Sequence, residues 1–218
     1  MAVSDDERAR FGYALLLALL VVAIGLTLAL SARPMGIVLA VVVQAAAVSV
    51  ALEVTRATRR VRLVANVALV AVVLALAIVT SPLTPASPEL SLLLSRSVGL
   101  GLALVIPVRI ARRAVASRRI TLDTVAAGLC VYLLLGLAFG YVHLLVDAAA
   151  AGAYSKLLTD ADAVYLSFVT LTTVGFGDVV PVSGPARAVT IVESVLGQLY
   201  LVSVIAVLVG NIGREKTR

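Results

Sequence analysis

"TLTTVGFGDVVP", residues 170–181, sets adjacent threonines, two glycines one residue apart and an acid into a chain built mostly of Val, Leu and Ala. Whether this is a turn between two helices or a working segment depends on the solvent around the chain. Of its 218 residues, 61% are hydrophobic and 14% charged. A soluble domain of that size needs far more polar surface, so the composition is that of an all-α integral membrane protein. The single cysteine, Cys130, and single histidine, His143, leave no disulfide framework and no cysteine–histidine metal site. Both are expected simply to pack.

Outward from the quoted stretch, uncharged or nearly uncharged runs recur at residues 11–30, 36–52, 63–80, 90–110, 124–146 and 188–212. Each can cross the ~30 Å hydrocarbon core as a helix of about 20 residues. The first is longer than the ~7–15-residue apolar region of a signal peptide and follows a leader as acidic as it is basic, so it is expected to be a retained span. Six crossings place both termini on one side. Arg8, Arg10, Arg56, Arg59, Arg60, Arg62, Arg109, Arg112, Arg113, Arg118, Arg119, Arg214, Lys216 and Arg218 share a face, fourteen of eighteen basic residues. Arg33, Arg96, Lys156 and Arg187 fall on the other. Basic loops stay inside, which predicts cytoplasmic termini in a multi-pass plasma-membrane protein. Positive charge divided among short loops also argues against a nucleic-acid surface. The connector "TSPLTPASPEL", with three prolines and no base, suits a short external loop.

Between spans five and six, "SKLLTDADAVYLSFVTLTT" reads as a short helix with Thr159 or Asp160 at its cap and Asp162 in its first turn. Its apolar run is too short to cross. A re-entrant helix is the expectation, because such backbone is tolerated at membrane depth only when protein covers it or it lines a water-filled cavity.

Residues 173–178, Thr-Val-Gly-Phe-Gly-Asp, follow that helix. This segment resembles the signature filter of the potassium-channel superfamily, whose pore loop reads TVGYG or TVGFG. The resemblance takes in Thr172, Asp178, the preceding short helix and the following span, about residues 124–212. The first four spans match six-span members of that family only in number and order. The resemblance implies a pore domain over residues 120–213 and a four-helix, voltage-sensor-like membrane domain over 11–119. Short cytoplasmic ends at 1–10 and 214–218 flank them. It also implies that carbonyls of Thr173, Val174, Gly175 and Phe176, completed by Gly177, coordinate K+ as the permeant ion, with no other cofactor and no enzymatic activity. A dehydrated ion needs oxygen dipoles in place of its water shell. Gly175 and Gly177 supply the unusual dihedrals at no Cβ penalty. One loop cannot surround an ion, so a homotetramer is expected.

Thr172, Asp178, Tyr165 and Glu193 are the expected supports of this filter. Phe176 lacks the hydroxyl of the commoner Tyr, leaving Tyr165 and Phe168 to pack around it. Val169 stands where some relatives carry an acid that partners the Asp after the filter, so Asp178 is expected to be less restrained. Glu193 is the one acid within span six, and an ionisable residue at that depth is a functional candidate. It is expected to hydrogen-bond behind the filter, the alternative being water or Arg187. Gly197 is either a bend in the inner helix or a close-packing site, the role expected of Gly136 and Gly140.

A voltage-sensing helix carries about 3–4 gating charges per subunit. Span four has Arg96 near its outer end and no further base until Arg109; spans two and three offer no mid-membrane acid, Glu53 being at an inner end. Weak voltage dependence is the expectation. The sequence runs only a few residues past span six, so gating by calcium, nucleotide or NAD calls for a separate regulatory subunit. A non-selective cation channel, a coupled transporter subunit and a non-conducting regulatory scaffold stay open as alternatives. The Ala/Val/Arg-rich composition points to a bacterial source.

Overall fold

The computed structural model describes residues 5–30, 34–55, 57–79, 88–116, 122–150 and 152–215. Arg33, Arg56, Arg118, Arg119, Lys216, Arg218 and residues 80–87 of the proline-rich connector lie outside them. The described elements are helical: α1 (Asp5–Leu30), α2 (Pro34–Val54), α3 (Arg59–Val79), α4 (Pro88–Ala116), α5 (Leu122–Ala149), α6 (Asp160–Leu171) and α7 (Gly184–Glu215). Pro34 and Pro88 open α2 and α4, the position where a missing N–H costs no helical bond.

Among the described residues, four helices are long and apolar enough to cross a membrane: Phe11–Leu30, Arg59–Val79, Thr124–Ala149 and Gly184–Val204. The apolar stretches of α2 and α4, Leu39–Val54 and Leu90–Val105, are shorter. The α4 backbone runs on past the expected end of span four at residue 110, so Arg112 and Arg113 extend a helix that already contains Arg109. At 12 residues, α6 spans about 18 Å at the helical rise, well short of a ~30 Å core.

Packing explains the order. Leu16 and Leu20 of α1, Val41 of α2, Ala103 of α4 and Leu134 of α5 join one apolar core that reaches Val164 of α6. The short helix therefore sits on α5 with α1 beside it. Gly136 and Gly140 make the approach possible. A Cβ at Gly136 would meet the Phe168 ring at 2.5 Å, and one at Gly140 would meet the Val164 Cα at 3.3 Å. A second cluster, with Leu144, Tyr154, Leu158, Leu166 and Val179 among its members, fills the space beneath the loops flanking α6.

Those loops are tied together. Ser155 N–H donates to the Val180 carbonyl (2.9 Å), and Val182 N–H to that of Ala153 (2.8 Å). Asp147, near the end of α5, accepts from Leu158 N–H at 2.9 Å. The start of α6 is fixed by a capping box. Thr159 Oγ1 accepts from Asp162 N–H, and the Asp162 carboxylate accepts from Thr159 N–H. Partial burial pushes the Asp162 carboxyl up, but hydrogen bonds from Lys156 and Thr159 outweigh it and hold the group below the usual carboxylate range. A lowered folded value stabilises above the ordinary carboxylate pKa of ~3.9 and is lost only as pH falls through the lowered value, so the cap persists at neutral pH.

Candidate functional site

Immediately beyond α6 the chain leaves helical geometry, and residues 172–178 are all exposed in the single chain. Thr172 N–H donates to Phe168, Thr173 N–H to Thr170 and Val174 N–H to Val169, each at 3.0 Å, so the last carbonyls of α6 anchor the start of the segment. Thr173 has φ 59°, Gly175 57° and Gly177 79°. Among the described residues no other non-glycine has a positive φ, so the sign alternates from 173 to 177. An ordinary strand turns successive carbonyls to opposite sides; alternating the hand of the backbone turns them toward the same side. The two glycines adopt this without penalty. Thr173 does not: a non-glycine residue in the left-handed region persists only where surrounding bonds over-determine it, as the α6 carbonyls do here.

The side chains of the segment turn out from it. Val174 is 53% and Phe176 71% exposed. Phe176 stacks on Tyr165 of α6, ring centroids 6.4 Å apart and planes 6° from parallel. Phe168 turns instead to α5, where Gly136 leaves room for its ring. Tyr165 Oη donates to Asp178 Oδ1 at 3.1 Å. Asp178, exposed in the single chain, thus has a partner on α6 although Val169 offers it none.

Behind α6 lies a buried polar junction. Glu193, fully buried on α7, lies 2.7 Å from His143 Nε2 of α5 through Oε2, and its Oε1 is within hydrogen-bonding distance of Ser167 Oγ on α6. Ser167 Oγ also donates to the Gly136 carbonyl at 2.7 Å, and His143 Nδ1 lies 2.7 Å from the Tyr154 hydroxyl. Glu193 therefore joins α7 to α5 and to the helix that precedes residues 173–177, while Arg187 Nε donates instead to Pro181 O. His143 is more than packing filler, contrary to expectation. A lone histidine carries no sign of partners that lie 11 and 50 residues away. Ser167 and Tyr154 also escaped notice in the sequence, since neither departs from an apolar background in a recognisable pattern. Cys130 is fully buried among apolar residues, as expected.

Two further contacts fix α6 in place. Arg96 of α4 pairs with Asp160 at the start of α6, Nε to Oδ1 at 3.2 Å. On the other side, Gly197 of α7 lies against the last residue of α6. A Cβ there would meet Leu171 Cδ2 at 2.7 Å and the Leu171 carbonyl oxygen at 3.0 Å. This is close packing within a helix that runs unbroken from Gly184 to Glu215. Gly197→Ala is accordingly expected to cost about 1–3 kcal/mol through overpacking, read as a lowered thermal midpoint in detergent. A residue acting only as a bending point would accept alanine without that loss.

Comparison with curated proteins and with solved structures finds no match. The region built of α5, α6, the segment 173–177 and α7 does find one: residues 124–213 match the family model described as "Ion channel".

Proposed function

We propose that this chain is one subunit of a homotetrameric, potassium-selective channel of the plasma membrane. It conducts passively, with both termini cytoplasmic and with α1 to α5 and α7 as six crossings. Residues 11–119 form a voltage-sensor-like scaffold with little sensing, and residues 120–213 the pore domain. The observation that carries the reading is the alternating φ sign over residues 173–177 at the tip of a helix too short to cross. In a ring of four, the carbonyls of Thr173, Val174, Gly175 and Phe176 stand in for the water shell of K+, and Gly177 closes the outer end. Thr172, Tyr165, Asp178 and Glu193 hold the segment in register. The C-terminal end of α6, the negative end of its dipole, favours a cation at that point.

The exposed faces support the ring. Ile191, Val195, Leu199 and Val202 of α7 are each more than half uncovered, beside the exposed segment 173–177. Copies packed along that face would bring four segments to one axis. Arg96, held by Asp160, supports the reading of weak voltage dependence. One transferred charge is worth ~2.3 kcal/mol per 100 mV, and an arginine pinned to α6 transfers none.

The test is the reversal potential of purified protein in liposomes under opposed K+ and Na+ gradients. A potassium channel follows the K+ equilibrium potential. A coupled transporter departs from it as the second ion is varied, a non-selective channel reverses near zero, and a regulatory scaffold passes no current.

A further inference from the structure

The junction behind α6 contains four polar contacts: Tyr154 to His143, His143 to Glu193, Glu193 to Ser167, and Ser167 to the Gly136 carbonyl. Each needs one proton between its two heavy atoms. The Gly136 carbonyl can only accept, so the single hydroxyl proton of Ser167 lies in that contact. The contact between Ser167 and Glu193 must then be supplied from Glu193 Oε1. Oε2 remains an acceptor for His143 Nε2–H. The unprotonated Nδ1 accepts from the Tyr154 phenol, which burial above all keeps protonated. Four protons fill four contacts, all donated in one direction.

No other assignment fills them. With Glu193 ionised, either Ser167 and Gly136 or Ser167 and Glu193 face each other as two bare oxygens at hydrogen-bonding distance. Adding a proton to make His143 an imidazolium does not repair this, because it enters the contact that Tyr154 already supplies. Reversing the His143 tautomer draws the Glu193 proton away from Ser167.

We propose that Glu193 is held as a neutral, protonated carboxylic acid whose proton, donated to Ser167, fastens α6 to α5 and α7. The groups in contact with it are His143 on α5 and Ser167 on α6; Tyr154 stands behind His143, Tyr132 on α5 lies within electrostatic reach, and Asp147 is engaged with Leu158 N–H. A buried acid that must donate is a positioning residue with one removable proton. Raising the pH until that proton leaves sets two oxygens against each other and loosens the seat of α6. The inference does not depend on which ion, if any, the assembly carries.

The experiment uses the full chain in liposomes. The infrared difference between wild type and Glu193→Gln at neutral pH is expected to contain a protonated-carboxyl C=O stretch belonging to the wild type, and this band is expected to disappear on alkaline titration. Glutamine reproduces the neutral acid, its amide N–H donating to Ser167 and its carbonyl accepting from His143. Its thermal midpoint should stay within a few degrees of wild type and lack the alkaline fall that wild type shows. Glu193→Ala should lie about 5 °C or more lower. Absence of the band in wild type overturns the proposal. So does a Glu193→Gln chain as unstable as Glu193→Ala, or unable to fold, because an ionised glutamate paired with imidazolium predicts that outcome.

Discussion

Gly175→Ala is expected to abolish selective ion flux while the chain still folds and inserts. A Cβ built at Gly175 meets nothing within 4 Å, so the substitution introduces no clash within the subunit. What it meets is its own backbone. At φ 57° an L side chain presses on the following carbonyl, at a cost of about 1–2 kcal/mol per residue. In a ring of four that penalty recurs around one axis, and it is relieved by turning the 175 peptide out of line. In the proposed channel, a single misdirected carbonyl in each subunit would leave a gap in the oxygen cage at the point where the ion has no water. Flux of K+ into liposomes should fall by at least tenfold, with far-ultraviolet circular dichroism and detergent thermal midpoint close to wild type. Retained flux at the wild-type level would show that the φ alternation is not the conducting geometry.

The second large effect is expected at Arg96. Its side chain is 15% exposed and that of Asp160 12%, so the pair is largely shielded within the chain. Removing one partner of such a pair leaves an uncompensated charge and typically costs about 3–5 kcal/mol. Arg96→Gln and Asp160→Asn should each lower the thermal midpoint strongly. The double variant, with neither charge left alone, should be more stable than their summed effects predict. The steepness of conductance against voltage should be unchanged in all three, because Arg96 is a strut between α4 and the start of α6. A steep voltage dependence that becomes shallow in Arg96→Gln would make it a gating charge instead.

The parts of the fold legible in the sequence are those whose physics is local. The start of α6 is written in neighbouring residues, with Thr159 or Asp160 as its cap and Asp162 in its first turn, and the brevity of α6 follows from the Thr- and Gly-rich stretch that ends it. That Thr159 is the cap and pairs reciprocally with Asp162 is seen only in the structure. Gly175 and Gly177 announce left-handed backbone because no other residue adopts it so cheaply. Thr173 gives no such sign: its φ of 59° is imposed by hydrogen bonds to the α6 terminus, not by its own preference. The junction at Glu193 was half legible. An acid inside an apolar helix signals a partner, but His143, 50 residues earlier, and Ser167, 26 earlier, are brought to it only by the packing of α5, α6 and α7. Arg96 finds Asp160 across 64 residues, and neither residue's neighbours in the sequence foretell the pair. The small size of Gly136 and Gly197 was legible; which helix each admits was not.

A density map of the assembled protein in a potassium-containing membrane mimetic tests the central claim most directly. The account predicts four subunits about one axis, α7 innermost, with ion density on the axis at the level of residues 173–176 and ringed by their main-chain oxygens. An assembly without a fourfold axis, or one in which residues 173–177 face lipid, would contradict it.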